Sequence, residues 1–235
     1  MPCIIKMENE SEILEIVVSR FREPLDWLSH TPFNKYPVIV YNKSGDDNYY
    51  KSPKMKKEVI LPNVGCEAHT YLYHIINNYD NLANITAFFQ GSIEIPKKYS
   101  RAVNTVNKSV ERNMTVIYFN EFNNIRQEFG NFTLDHYPFN HPTVINNTES
   151  NTLHPCRIRP FGEWYDVLFG DVQINGYSSN SIMAIKKEDI LKRPKEFYEH
   201  LFSFVNEGIQ PEGVHYMERV WAAIFHPLPN ESLIH

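Results

Sequence analysis

Residues 59–91 read VILPNVGCEAHTYLYHIINNYDNLANITAFFQG, and this stretch decides the fold. Short apolar runs at 59–61 and 85–89 each predict a buried strand. Between them, apolar residues recur at three- and four-residue steps from Ala68 to Tyr79, which predicts a helix of about four turns with one apolar face. A strand, a helix and a strand joined by short connections predict a βαβ unit and a largely parallel sheet.

Similar patterns on both sides of this stretch predict an α/β fold in a single domain. Further apolar runs predict strands at 15–19, 37–41, 115–119 and 181–185. Helical patterns predict a helix opening at Pro24 and later helices over 187–193, 194–206 and 215–225. We expect residues 1–11 to form a mobile tail and 12–235 to form the domain. The patterns over 92–160 are weaker, with a loop region rich in Asn, His and Pro that runs to about Pro160.

Composition excludes several classes of function. The 235 residues are 42% hydrophobic and 22% charged, which is ordinary for one globular domain. The formal net charge of -5 gives no electrostatic support for nucleic acid as a partner. The three cysteines lack the spacing of a metal site or a disulfide framework. The chain shows neither a signal-peptide pattern nor the roughly 18–20 apolar residues of a membrane span, so we expect a cytoplasmic protein.

Polar residues follow the predicted strands, where open parallel sheets bind their ligands. We interpret ten of them as candidates for holding an anionic cofactor or substrate. They are Ser19, Arg20, Glu23, Asn42, Lys43, Asn63, Gly65, Glu67, Gln90 and Gly91. A helix beginning near Gly65 would also direct free backbone amides at an anion such as a diphosphate. The alternative is that each residue is simply a turn or cap residue.

The segment NVGCEAHTYL…FFQG at 63–91 resembles GT-A-like glycosyltransferase domains of unassigned activity, whose members carry NVGREAHTYL, a helix and FLQG. The flanking strings EIVVSRFREPLDWL, FGEWY and HYMERVWAAIF extend the resemblance from Glu15 to Phe225. It implies a mostly parallel, Rossmann-like sheet flanked by helices. It also implies transfer of a sugar from a nucleotide-sugar donor to a hydroxyl acceptor, such as a glycan.

The resemblance assigns roles to the strand ends, with two departures. It implies nucleoside contacts for Ser19, Arg20 and Glu23, and ribose and diphosphate contacts for residues 63–70. Where GT-A enzymes carry an Asp-x-Asp metal motif, this chain has the amide Gln90. Cys66 stands where an arginine is common in the family. No metal site or cofactor is therefore certain: basic side chains would neutralise the diphosphate, or Mn²⁺ or Mg²⁺ would bind weakly through Glu94.

For catalysis, the resemblance implies a general base near the start of the last helix, where Glu218 lies. Asp166 and Asp171 are alternative bases or acceptor ligands. Trp164, Arg219 and Trp221 are candidates for binding the substrate. The competing interpretations are a surface ion pair between Glu218 and Arg219, and a core position for Trp164.

Two other functions stay open. The first is a catalytically degenerate GT-A domain that binds a nucleotide or a glycan without turnover, which the missing acidic pair favours. The second and weaker one is a hydrolase that uses the His and Asp residues of the middle loop, although no metal-binding motif accompanies them. These residues are Asp135, His136, His141 and His154. Fold resemblance alone does not decide between them.

Overall fold

The computed structural model describes residues 13–121, 124–135 and 154–235, so the tail predicted over 1–11 lies outside the described residues. In the described part of the chain, one sheet of seven strands forms the centre. The strands are β1 (Leu14–Arg20), β2 (Val38–Asn42), β3 (Met55–Ile60), β4 (Ile85–Gln90), β5 (Val116–Glu121), β6 (Gly176–Lys186) and β7 (Leu233–Ile234). Their order across the sheet is β3-β2-β1-β4-β6-β5-β7.

The sheet is mostly parallel. β1 pairs in parallel with β2 and β4, β2 with β3, and β5 with β7. β6 runs antiparallel to both of its neighbours, β4 and β5. Its first residue, Gly176, is the register partner of Glu121 at the end of β5. The predicted α/β class and largely parallel sheet are confirmed, with β6 as the antiparallel exception.

Helices cover both faces of the sheet. They are α1 (Cys66–Asn77), α2 (Pro96–Arg112), α3 (Ile125–Phe129), α4 (Phe161–Phe169), α5 (Lys187–Ile190), α6 (Lys195–Phe202) and α7 (Glu212–Ile224). In β1, Val17 packs into the apolar cluster with α1, α4, α6 and α7. Ile16 and Val18 pack into the cluster on the other face, with α2 and the one-turn helices near 26–35. Alternate residues of one strand are therefore buried on both sides.

Some elements differ from those predicted. The pattern at Pro24 gives one helical turn, Asp26–Ser29, preceded by Leu25 in a left-handed conformation with φ of 61°. β3 begins at Met55, earlier than predicted. The 17-residue helix α2 lies where the sequence patterns are weak and predict no helix. No helix in the described ranges is both long enough and apolar enough to cross a membrane.

Two histidines of α1 lie inside the protein. The ring of His69 is 4.7 Å from that of Phe202, centroid to centroid. His74 shares a hydrogen bond of 3.0 Å with the hydroxyl of Tyr41. Burial lowers the pKa of each histidine from 6.5 to about 4. Both rings are therefore neutral in the folded protein at neutral pH.

These histidines predict a loss of stability in mild acid. Between pH 6.5 and 4 the unfolded chain binds more protons than the folded one, so stability is full above pH 6.5 and falls as the pH drops toward 4. The loss is about 2 kcal/mol per histidine between pH 7 and pH 5. Urea denaturation at both pH values measures it, and His69→Phe should lose about 2 kcal/mol less than the wild type. His200→Phe, at an exposed position of α6, is the control, and equal losses in wild type and His69→Phe would contradict the prediction.

Candidate functional site

The strand order reverses between β1 and β4. β2 and β3 continue on one side of β1, whereas the remaining strands continue beyond β4. Such a reversal creates a crevice at the carboxyl ends of the strands, where α/β proteins bind ligands. The backbone N–H of Gly91 donates to the carbonyl of Ser19 over 2.8 Å, which joins the ends of β1 and β4. The reversal of strand order therefore lies at the edge where the sequence places the candidate residues.

Three polar side chains form a connected chain at this edge. Gln90, the last residue of β4, donates from Nε2 to Oε1 of Glu67 over 2.8 Å. Lys98, near the start of α2, donates from Nζ to Oε1 of Gln90 over 2.7 Å. Glu67 is buried, whereas Gln90 and Lys98 are partly exposed. The amide of Gln90 thus joins two charged groups: its NH₂ donates to the carboxylate of Glu67, and its oxygen accepts from the ammonium group of Lys98.

Glu218 in α7 adds a second carboxyl group to this edge. Burial and, after it, the negative charge of Glu67 raise the pKa of Glu218 from 4.5 to about 7, while Arg219 and Lys98 act in the opposite direction. A carboxyl group with a pKa near 7 is suited to accepting a proton at neutral pH. We call Glu67, Gln90, Lys98 and Glu218 the polar cluster.

The polar cluster does not fit a divalent cation. Hard cations bind through carboxylate and carbonyl oxygens, but the side-chain oxygen of Gln90 accepts a hydrogen bond from the ammonium group of Lys98. Glu94, the weak alternative ligand, is exposed. The described residues include no group of three or more His, Cys, Asp or Glu side chains able to hold a metal ion. Lys98 therefore provides the positive charge at the end of β4.

Arg20 is fully buried, and protein partners occupy its guanidinium group. Nε donates to the carbonyl of Glu23 over 2.8 Å, and Nη2 pairs with Asp46 over 2.9 Å. Nη1 donates to the side-chain oxygens of Asn42 and Ser44. The sequence predicts a nucleoside contact for Arg20, but the structure uses this residue to fasten the loop after β2 to the end of β1.

Ser19 and Glu23 also have partners within the protein. Ser19 shares a hydrogen bond of 2.9 Å with the hydroxyl of Thr70, and the carboxylate of Glu23 accepts one from the backbone N–H of Phe21 over 2.7 Å. A Cβ on Gly91 would lie 2.6 Å from that carboxylate. Glycine at this position therefore allows the loop after β1 to lie against the end of β4.

Backbone contacts occupy the predicted anion site at the start of α1. Gly65 has a φ of +60°, and a Cβ there would lie 1.9 Å from the carbonyl oxygen of Val205, so glycine is required. Its N–H donates to the carbonyl of Gly208 over 2.9 Å, and that of Cys66 donates to the carbonyl of Ile209 over 3.3 Å. These two amides are therefore not free to bind a diphosphate.

Lys43, at the end of β2, is buried beside the same turn. Its Nζ donates to the carbonyl of Val64 over 2.6 Å and to that of Cys66. Burial lowers the pKa of Lys43 to about 8. Asn42 is fully buried, whereas Asn63 is partly exposed on the connection that leads into α1. Among Asn42, Lys43 and Asn63, which the sequence predicts to contact the ligand, Asn63 alone is partly exposed.

The two tryptophans predicted to bind substrate are fully buried. Trp164 packs in the core, with its ring 5.4 Å from that of Tyr216, centroid to centroid. Trp221 donates from Nε1 to Oγ of Ser181 over 3.2 Å. Ser181, within β6, has a φ of 50°, which is strained for a residue with a side chain. Burial leaves neither ring a face on which a sugar could stack.

Arg219 is partly exposed beside the polar cluster. Its guanidinium group lies over the rings of Phe129 and Phe132, at 4.7 Å and 4.3 Å from their centroids, and Nη1 donates to the carbonyl of His215. The described residues show no ion pair between Glu218 and Arg219, so the predicted surface pair does not form, and Arg219 contacts aromatic rings instead. Arg219 fixes α7 to α3 and to the residues that follow α3.

Asp166 and Asp171 line a different cavity, of about 440 Å³, beside α3 and α4. Two contacts of 2.5 Å join the carboxylate of Asp166 to the guanidinium group of Arg126. These hydrogen bonds hold the pKa of Asp166 below its ordinary value, which makes this carboxylate a weak base. Glu218, in contrast to Asp166, has the pKa of a base that works near neutral pH.

Of the predicted hydrolase residues, His136 and His141 lie outside the described residues. Asp135 pairs with Arg159 over 3.2 Å, and His154 lines a separate cavity with Cys156 and Phe204.

Sequence reasoning missed Lys98 because it missed α2. Two signals were present: a proline at the first helical position, Pro96, and an asparagine at the end, Asn113, which has a left-handed φ of 47°. It also missed Phe21, an aromatic side chain that is 38% exposed directly after β1. Both residues belong to the edge at which the strand order reverses.

Comparison with known proteins gives a family. None of the curated proteins matches the chain. The sequence pattern of the family described as "Protein of unknown function (DUF3431)" matches residues 16–232. This range contains the whole polar cluster. It also contains the whole sheet except the first two residues of β1 and the strand β7. The chain therefore belongs to the DUF3431 family.

Proposed function

We propose that this protein is a GT-A-type glycosyltransferase, which binds a nucleotide-sugar donor at the reversal of strand order and transfers the sugar to a hydroxyl acceptor. The order β3-β2-β1-β4 is that of the nucleotide-binding half of a Rossmann sheet, and it supports this proposal. The observation that carries the proposal is the polar cluster at the end of β4 and the middle of α7, in which a lysine and a carboxyl group of raised pKa lie at one edge of the sheet.

In the proposed reaction, Glu218 accepts the proton of the acceptor hydroxyl. The acceptor oxygen then forms a bond to the anomeric carbon while the bond from that carbon to the donor diphosphate breaks. The diphosphate leaves with the electron pair, and the ammonium group of Lys98 offsets its added negative charge. Gln90 positions Lys98 through their hydrogen bond, and Glu67 holds Gln90 in place. The negative charge of Glu67 also helps to keep the pKa of Glu218 high.

The donor site is tested with a panel of nucleoside diphosphates. Because Lys98 supplies the positive charge, at least one member should bind in the presence of chelator, and manganese should change its affinity less than tenfold, or about 1.4 kcal/mol. Lys98→Met should weaken that binding at least tenfold. Lys97→Met, an exposed neighbour with the same charge, is the matched control. Isothermal titration calorimetry measures all three proteins.

Three results would contradict the donor site or its independence of metal. Failure of every nucleoside diphosphate to bind, with and without manganese, would remove the proposed function. Equal weakening by Lys98→Met and Lys97→Met would show that only the general charge of α2 matters. A tenfold or larger gain with manganese would instead indicate a metal-dependent site.

A second candidate is a GT-A domain that binds a nucleotide or a glycan without turnover. The hydrogen bonds of Gln90 favour it, since its side chain is engaged on one side by Glu67 and on the other by Lys98. This candidate would be selected if the wild type binds a nucleotide but neither releases free sugar from the donor nor transfers the sugar to any acceptor.

A further inference from the structure

Two cavities adjoin at Gln173 on the ligand edge of the sheet. The first, of about 440 Å³, includes Gln127 and Asp171. The second, of about 730 Å³, lies between the end of β5 and the residues after α7. Gln173 lines both of them. Each volume falls within the roughly 300–1,000 Å³ that small-molecule sites usually have.

The chemistry of the first cavity fits a neutral ligand that carries many hydroxyl groups. Arg126 and Asp166 form a bidentate pair, so their charges offset each other. Asp171 adds a negative charge, and the amides of Gln127 and Gln173 add both donors and acceptors. A net negative, amide-rich lining opposes a phosphate group but can hydrogen bond to sugar hydroxyls.

The second cavity continues the same chemistry and adds apolar walls. Nε2 of His235 lies 3.2 Å from Oε1 of Glu121, and its Nδ1 is 2.9 Å from the carbonyl oxygen of Phe119. Leu228 and Leu233 line the cavity as well. Sugars present both hydroxyl edges and apolar C–H faces, so polar groups beside apolar walls suit them.

The backbone on both sides of Gln173 is fixed. The hydroxyl of Tyr165 donates to the carbonyl of Val172 over 2.8 Å, and the N–H of Ile125 donates to the carbonyl of Ile174 over 3.0 Å. Gln173 itself is exposed between these two anchored residues. The backbone that carries Gln173 therefore loses little conformational freedom on binding, which favours affinity.

The fold brings this surface close to the candidate base. Because β6 is antiparallel, the residues just before Gly176 lie at the same edge as the carboxyl ends of β4 and β5. α3, which carries Arg126, also carries Phe129, and Phe129 stacks against Arg219 next to Glu218. We infer that the two cavities form one acceptor groove for a neutral oligosaccharide chain, an inference that rests on the proposed function.

The test uses a panel of neutral trisaccharides: cellotriose, maltotriose, mannotriose, xylotriose and chitotriose. We expect at least one of them to bind the wild type. Gln173→Trp fills the junction of the cavities, so it should weaken the binding of that trisaccharide at least tenfold. Glu111→Trp, on the exposed surface of α2 across the sheet, is the matched control and should bind as the wild type does. Gln173→Ala serves as a second variant should the tryptophan prevent folding, and it should also weaken binding. Nucleoside diphosphate binding should be the same in all four proteins.

Each outcome decides the inference. Trisaccharide binding that neither Gln173 variant weakens would overturn the groove. No trisaccharide binding, together with binding of a nucleoside diphosphate, would overturn the groove and leave the proposed function standing. Failure of both ligand classes would remove both. Tenfold weakening by the Gln173 variants alone supports the groove.

Discussion

Replacing Glu218 by glutamine is expected to lower turnover by about 10²–10⁴-fold, the usual contribution of a positioned general base. Glutamine keeps the shape and hydrogen-bonding reach of the side chain but cannot take up the acceptor proton. It also removes one of two neighbouring carboxyl groups, so the variant should be at least as stable as the wild type. The loss of turnover is measured as the rate at which nucleoside diphosphate is released from the donor when the acceptor is saturating. The affinity for nucleoside diphosphate should change little.

The pH profile separates a base from a residue that only supports the site. The wild-type kcat/KM should rise with pH and level off above about 7, because Glu218 acts only after it loses its proton and burial and Glu67 raise its pKa to about 7. The glutamine variant should lose this acidic limb. Glu199→Gln, at an exposed position of α6, is the control for the loss of one negative charge. Near-normal turnover in folded Glu218→Gln would remove Glu218 from the mechanism.

Replacing Glu212 by alanine is expected to cost about 3–5 kcal/mol of stability, because the change leaves several buried donors unpaired. Glu212, the first residue of α7, is 1% exposed. Its carboxylate accepts hydrogen bonds of 2.7 Å from the backbone N–H groups of Leu134 and Cys156, and one of 2.9 Å from the hydroxyl of Tyr216. The guanidinium group of Arg159 lies 3.1 Å away.

Urea denaturation of Glu212→Ala measures this loss, and Glu199→Ala is the matched control, expected to stay within about 0.5 kcal/mol of the wild type. Hydrogen exchange adds a local readout, since the amides of Leu134 and Cys156 should exchange faster in Glu212→Ala at equal global stability. A cost below about 1 kcal/mol, with unchanged exchange at both amides, would show that this carboxylate is not what holds the two segments together.

Most of the sheet could be predicted because its strands are short apolar runs bounded by polar residues, as at 85–89. α2 could not be predicted from hydrophobic periodicity. Its buried residues are Ala102, Thr105, Val106 and Ser109, so its buried stripe is small and partly polar. The reversed direction of β6 was also beyond the sequence pattern, because a buried strand has the same apolar character in either direction.

The site was partly predictable for a similar reason. Glu67, Gln90 and Glu218 could be named, since strand ends and the family resemblance select them, and the structure brings them together. The roles of Arg20 and Trp221 could not be foreseen. Whether a polar group faces a ligand or the protein depends on partners distant in the chain, such as Asp46 for Arg20 and Ser181 for Trp221. The sequence alone does not show those partners.

Glu121 and Gly176 stand opposite each other in the sheet, so everything between them in the chain leaves and returns at one point. Inserting or replacing a long segment between two neighbouring positions costs little extra closure entropy, because that cost grows only slowly with length. The strands around β1 and β4 can therefore keep their register when the length of this segment changes, provided that its core residues, such as Trp164, keep their packing against Tyr216 of α7.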